Sequence, residues 1–323
     1  MNYYGALKNS VAYTLMHRDI EAGKIAHAYL IDCEDEGMSD GLCSLFIAEA
    51  IFRSSSDEAV KKAERAGSVD IVTVPEKGKE KVSVDEIRSI IKNAYYTPTE
   101  LDKKVIVISK GETLNDESQN AILKILEEPP SSVIFLIKCA NVKKFLPTVL
   151  SRVRRITVTP LPSEDVLSYL KENYGEDNKV YLACALSRGY LSKADEVMRS
   201  DKSENTYSLV INMLKGMKTS KNILTYSSMI MKRKEDLSAL LDVFELVLAD
   251  CLLASSGVRD ELRFKNAVKD IIEISSQYTA TVVLALRPVL VRARRRIELN
   301  GNPQSVLDEL LFSLLEVKAK CQK

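Results

Sequence analysis

Asn115-Asp-Glu-Ser-Gln-Asn-Ala-Ile-Leu-Lys-Ile-Leu-Glu127-Glu128-Pro129-Pro130 is followed, after two serines, by the apolar run Val133-Ile-Phe-Leu-Ile137. Asn115 reads as a helix cap, and Asp116 and Glu117 as an acidic first turn that complements the helix dipole. The helix must stop at Glu128, because neither proline can continue it. The run after it is short and rich in apolar residues, as a strand buried on both faces is. Outward from this stretch the same alternation recurs. Val- and Ile-rich runs predict strands at Ala28–Ile31, Val69–Val74, Val105–Ser109, Val133–Lys138 and Ile156–Thr159. Ser83 with Glu86 forms a capping-box pattern that opens a helix to about Asn93. Strands alternating with helices predict a three-layer α/β domain with a parallel sheet over residues 1–160.

After Pro160 and Pro162 the strand signal disappears. Helices from Ser163 to about Glu172, over Asn178–Arg188 and over Leu191–Ser200 predict a small helical subdomain at residues 161–204. Beyond it the helices lengthen, at Asp236–Leu253, Asp260–Ser275, Thr279–Leu299 and Pro303–Lys320. Asn302 before Pro303 is a start signal, and Pro288 should kink the third of these. Apolar spacing of three and four, as in Phe244, Val247, Leu248 and Leu252, gives them a core-facing stripe. Residues 205–323 therefore read as an all-α oligomerising module.

Lys and Arg number 46 against 45 Asp and Glu, a formal net charge of +1. Bulk charge supplies no drive toward nucleic acid, so any such contact needs a local patch. The six cysteines at 33, 43, 139, 184, 251 and 321 form no Cys-x-x-Cys pair. That scatter points to reduced thiols in a cytoplasmic protein, with no disulfide framework and no metal site. Met1 to Asp19 carries polar and charged residues throughout and no uninterrupted apolar core, which predicts no signal peptide, and no segment has the apolar length of a membrane span.

A phosphate-gripping loop of the Gly-x-x-x-x-Gly-Lys-Ser/Thr type should follow the first strand and open the next helix. Here the segment is Asp32-Cys33-Glu34-Asp35-Glu36-Gly37-Met38-Ser39. It has no lysine, and four carboxylates stand where polyphosphate charge would sit. The other Gly-Lys pairs, Gly23-Lys24 and Gly78-Lys79, lack the earlier glycine and the following hydroxyl. The third strand ends in Ser109-Lys110, where a nucleotide hydrolase would place a Mg²⁺-holding carboxylate. Glu112 alone reads as a surface residue. No bound cofactor is expected.

At this point the chain resembles the delta-prime subunits of bacterial DNA polymerase III clamp loaders, non-ATPase members of the AAA+ superfamily. The resemblance begins at Ala26-His27-Ala28-Tyr29-Leu30 and is strongest from Leu114 to Arg152, through the 120–130 string and Leu146-Pro-Thr-Val-Leu-Ser151-Arg152. It returns weakly at 188–194 and at Asn302-Pro303-Gln304. It implies an AAA+ domain, a helical lid and a collar. It also implies a hetero-pentamer with ATPase subunits and a delta subunit, acting on a sliding clamp and primer-template DNA. Ser151-Arg152 matches the pair that points a guanidinium at ATP held by the neighbouring subunit, a role suited to a planar, permanently charged fork. The family's usual third residue is cysteine; here it is Val153. The family's four-cysteine zinc module has no counterpart between Arg53 and Gly67, where a short helix from Asp57 to Ala66 is expected instead.

Several residues keep a plainer reading. Arg152 taken alone is a helix-end arginine bonding carbonyls, and Asn115 is a cap before it is a nucleotide sensor. Glu127 and Glu128 read equally as a neighbour contact and as a solvated helix end. Arg154 and Arg155 read as solvated charges, and Tyr95 and Tyr96 as core or interface. Arg287, Arg292, Arg294, Arg295 and Arg296 read as an exposed face with interhelical ion pairs, and His17 and His27 as packing or surface residues. Two rivals stay open: an active gamma/tau-like ATPase, and a free-standing DNA-binding adaptor with a degenerate AAA+ fold.

Overall fold

The apolar runs pair as expected of strands with no polar face. The structure is a computed structural model describing residues 3–65, 68–76, 78–177, 179–233, 236–258, 262–264 and 267–321. In chain order the first elements are α1 (Tyr4–Lys8), α2 (Val11–Glu21), β1 (Ala28–Asp32), α3 (Glu36–Ala50), α4 (Asp57–Glu64) and β2 (Ile71–Val74). Then come α5 (Val84–Ala94), β3 (Lys104–Ile108), α6 (Asp116–Glu127), β4 (Val133–Cys139), α7 (Pro147–Leu150) and β5 (Arg154–Thr157). The strands form one parallel sheet in the order β2-β3-β4-β1-β5. Every residue of β3 and β4 is buried. Ile87 and Ile90 of α5 and Ile122, Ile125 and Leu126 of α6 cover one face of the sheet, against Ile106, Phe135 and Ile137. Each such side chain contributes roughly 1.5–3 kcal/mol by leaving water.

The caps read from the sequence are present. Ser83 and Glu86 form a full capping box, which together with Lys79 lowers the Glu86 carboxyl to about 2. Asn115 accepts the Ser118 N–H at 2.8 Å. The α4 helix stands where a short helix was expected, and Ala66 lies outside the described residues. Strand β3 starts one residue early, at Lys104, and two other strand starts differ from the sequence reading by two residues. Strand β2 begins at Ile71 because the buried Asp70 carboxylate instead accepts the N–H groups of Thr99, Glu100 and Leu101. Strand β5 begins at Arg154, two residues early, where it meets Tyr29 of β1.

The chain divides into two compact units, residues 1–169 with 190–192, and residues 170–189 with 193–323. The later helices are α8 (Ser163–Tyr174), α9 (Lys179–Ser187), α10 (Leu191–Arg199), α11 (Lys202–Gly216), α12 (Ser220–Arg233) and α13 (Leu237–Ser255). They continue as α14 (Val268–Ser275), α15 (Ala280–Glu298) and α16 (Pro303–Cys321). On α13, Phe244, Val247 and Leu248 are buried as their spacing requires. Asn302 caps α16 through the Ser305 N–H. Helix α15 runs on through Pro288.

One helix is shorter than its pattern suggests. Asp260 and Glu261 lie outside the described residues, but Leu262–Phe264 is not helical and α14 starts only at Val268. The buried Asp250 carboxylate takes the Phe264 N–H at 3.0 Å and an ion pair from Arg263, which holds that segment off the helical path. Among the described residues no single helix is long and apolar enough to cross a membrane.

Candidate functional site

Open α/β sheets bind ligands in the crevice beyond the carboxyl ends of their strands. Here that crevice is a cleft of about 400 Å³ lined by Cys33, Glu34 and Glu36 after β1, Lys110 and Glu112 after β3, and Lys138 and Cys139 on β4. Lys138 pairs with Asp40 of α3. Lys110 takes a left-handed backbone conformation, φ 54°. Burial pushes the thiols of Cys33 and Cys139 up to about 12, so neither is a nucleophile at neutral pH.

A helix N-terminus is the usual seat of a phosphate, because its first N–H groups have no intrahelical acceptor. At α3 this seat is filled from within the chain. Asp35, only 6% exposed, accepts the Met38 N–H at 2.9 Å, and also the N–H and hydroxyl of Ser192 at 2.9 and 2.6 Å. Gly37 gives no extra room: a Cβ there would lie 2.3 Å from the Ser192 hydroxyl and 2.6 Å from the Tyr3 ring. Asp32 pairs with Arg155 at 2.5 Å.

Arg152 lies elsewhere in the same unit, just after α7. Its Nη1 donates to the Thr148 carbonyl at 2.8 Å and to the Ser151 hydroxyl at 3.1 Å, while Nη2 meets Glu127 Oε1 at 2.6 Å. Ser151 in turn donates to the Thr148 carbonyl at 3.0 Å. The guanidinium is thus held by the end of its own short helix and by the last residue of α6, with a third of the side chain exposed.

What fixes α7 against α6 is Gln119, 1% exposed. Its amide nitrogen donates to the carbonyls of Leu114 and Lys144, each at 3.0 Å, and its oxygen accepts the Leu146 N–H at 2.7 Å. Sequence reasoning passed over Gln119, although its place three residues before Ile122 on the buried face of α6 is a visible signal. The Asp35–Ser192 contact carries no such signal, because its partners are 157 residues apart.

The bland readings divide. Asn115 is a cap, and His17 is a packed surface residue bonded to Glu49 and stacked on Tyr13. Arg294 pairs with Asp242 and Glu245, and Arg296 with Glu309, as an ion-paired face would. Three readings are corrected. Arg154 and Arg155 are not free charges: they pair with Asp19, which is buried, and with Asp32. Tyr95 and Tyr96 are not core, being 58% and 69% exposed, because α5 ends beneath them with Lys104 donating to the carbonyls of Asn93 and Tyr96. Glu127 is not merely solvated, since it holds Arg152.

A five-stranded parallel sheet in this order, with a crevice at the end of β1, defines an open α/β domain. The model of the family described as DNA polymerase III, delta subunit, matches residues 8–162, just under half of the chain. The chain is 22% identical to DNA polymerase III subunit delta' of Bacillus subtilis over 314 residues, 94% of either chain. It is also 31% identical to DNA polymerase III subunit gamma of Buchnera aphidicola from Schizaphis graminum, over 161 residues. That alignment takes in 46% of this chain and only 42% of the gamma subunit. A DNA polymerase III gamma subunit-related protein of Thermotoga maritima superposes with a TM-score of 0.46 at 19% identity, covering 95% of this chain and 99% of that one.

Proposed function

We propose that this chain is a non-catalytic subunit of a DNA polymerase III clamp loader, neither binding nor hydrolysing ATP itself. It lends Arg152, supported by Ser151, to ATP bound by a neighbouring subunit. The observation that carries the first part is the Asp35 carboxylate at the N-terminus of α3. An ATP phosphate would have to displace a buried, hydrogen-bonded anion of its own charge sign, with no lysine on that turn to neutralise it. The second part is supported by the pre-oriented guanidinium of Arg152, a third of whose side chain is exposed. Developing charge on a transferring phosphoryl group is what such a fork stabilises, typically by ~10³-fold or more.

In this reading residues 1–160 form the AAA+-like domain, 161–204 a lid and 205–323 a collar. The collar joins ATPase and delta subunits into a cytoplasmic hetero-pentamer that places a sliding clamp on primer-template DNA. The likeness to gamma subunits favours a second reading, an active ATPase. Calorimetry separates the two: the proposal expects no heat from Mg-ATP at millimolar concentration, and micromolar affinity would defeat it. Arg152→Ala in a reconstituted loader should cut DNA-stimulated hydrolysis at the adjoining site by ~10³-fold while assembly stays intact. Unchanged turnover would remove Arg152 from the mechanism.

A further inference from the structure

Glu127 is the last residue of α6, followed by the C-cap Glu128. Carboxylates belong at the positive N-terminal end of a helix and are disfavoured at the negative C-terminal end. The acidic first turn, Asp116 and Glu117, obeys that rule; Glu127 breaks it. Helix stability therefore does not explain Glu127. Its pairing does: Glu127 Oε1 lies 2.6 Å from Arg152 Nη2, while Nη1 is the nitrogen held by the Thr148 carbonyl and the Ser151 hydroxyl.

Resting on the proposed role of Arg152, we propose that Glu127 is a restraining counter-ion for that finger. In the subunit alone it holds the Arg152 fork against the end of α6. On docking, the triphosphate of the adjoining subunit must take Nη2 from it. Nη1 keeps its bonds to Thr148 and Ser151 throughout, so the exchange moves only one edge of the fork. Glu127 is a positioning residue that never meets the reacting atoms, and it sets how readily the finger is released. Half-exposed ion pairs are weak, so the restraint is set to yield to a polyanion and to little else. The consequence is a loader that hydrolyses less ATP when the interface is loosely closed than an unrestrained finger would allow.

The test is Glu127→Gln, which removes the charge and keeps the shape. In a loader reconstituted with its gamma/tau-type and delta-type partners, hydrolysis without DNA should rise about two- to fivefold, the factor a surface ion pair supplies. DNA-stimulated kcat should change little, and the rise should vanish in the Arg152→Ala background. In the isolated chain, Arg152 should react faster with phenylglyoxal once Glu127 is neutral. If Glu127→Gln lowers turnover without DNA or leaves it unchanged, while Arg152→Ala still abolishes stimulation, the restraint is wrong and the finger stands. If Arg152→Ala is also without effect, the finger reading itself fails.

Discussion

Removing the carboxylate of Asp35 gives a direct measure of how firmly the nucleotide seat is filled. Asp35→Ala takes away the cap of α3, a loss of typically about 1 kcal/mol. It also strips the Ser192 N–H and hydroxyl of the acceptor that both use. A buried donor left unmatched costs ~1–3 kcal/mol. The sum is about 2–4 kcal/mol, focused on the first turn of α3. Because the chain has two compact units, a single denaturation midpoint would blur this change. Hydrogen exchange at the Met38 amide reads it locally: the sum predicts a rise of roughly 30- to 1,000-fold in its exchange rate, at about tenfold per 1.4 kcal/mol. Asp35→Asn keeps an oxygen at the cap and should raise the rate only about tenfold or less. Neither variant should acquire ATP affinity, because Glu34 and Glu36 remain and the turn still lacks a lysine. If Met38 in Asp35→Ala exchanges within threefold of the parent rate, the carboxylate does not hold the seat and the reasoning from it collapses.

Two other perturbations probe the supports of the site. Gln119→Leu leaves the Leu146 N–H and two carbonyls unmatched, so it should destabilise the α6–α7 connection by about 2–4 kcal/mol, read as faster exchange at Leu146. In the reconstituted loader it should also lower stimulated turnover by loosening α7 and thus Arg152, and wild-type behaviour in both assays would show that the amide is dispensable. His17 has its imidazole raised above the ordinary value by its bond to Glu49, against a smaller opposing effect of burial. Its stabilising contribution is therefore full below about pH 6.5 and lost as pH rises through the higher folded value. His17→Gln should lower Tm at pH 6 and barely at pH 9, and equal losses at both would contradict the ion pair.

The strands and the caps of α5 and α6 were legible because their causes are local. A run of Val and Ile, a serine three residues before a glutamate, and an asparagine before two acids each act over one turn. Arg152 and Ser151 are picked out by the motif around them, and their role belongs to the proposed function. What escaped the sequence shares one property: its causes lie far along the chain. Asp32 looked like a free acid until Arg155 met it across the sheet, and Asp35 until Ser192 arrived from residues 190–192. Counting four carboxylates after β1 as simple repulsion was therefore too crude. Asp32 and Asp35 are paired within the chain, Glu34 accepts from the Tyr190 hydroxyl at 3.5 Å, and of the four only Glu34 and Glu36 line the open cleft. Val69 and the stretch Leu262–Phe264 were misassigned for the same reason, because the carboxylates of Asp70 and Asp250 take the N–H groups of Thr99–Leu101 and of Phe264.

A ligand shifts a conformational equilibrium only by its difference in affinity for the two states. A seat already satisfied by Asp35 offers nucleotide no such difference, so the first turn of α3 should stay in one arrangement through every stage of a neighbour's cycle. The same carboxylate chemistry then acts twice in this unit. At Asp35 it occupies an anion site that nothing competes for. At Glu127 it occupies a cation that a triphosphate can claim, because that pair is half exposed and the Asp35 cluster is not. Under the proposed function this asymmetry divides the labour. On that proposal the chain is fixed at the first turn of α3 and responsive at Arg152, where it would read a neighbour's nucleotide. Its sensitivity to the state of the assembly should therefore pass through α7 and the Glu127 end of α6 and be absent from the cleft at the end of β1.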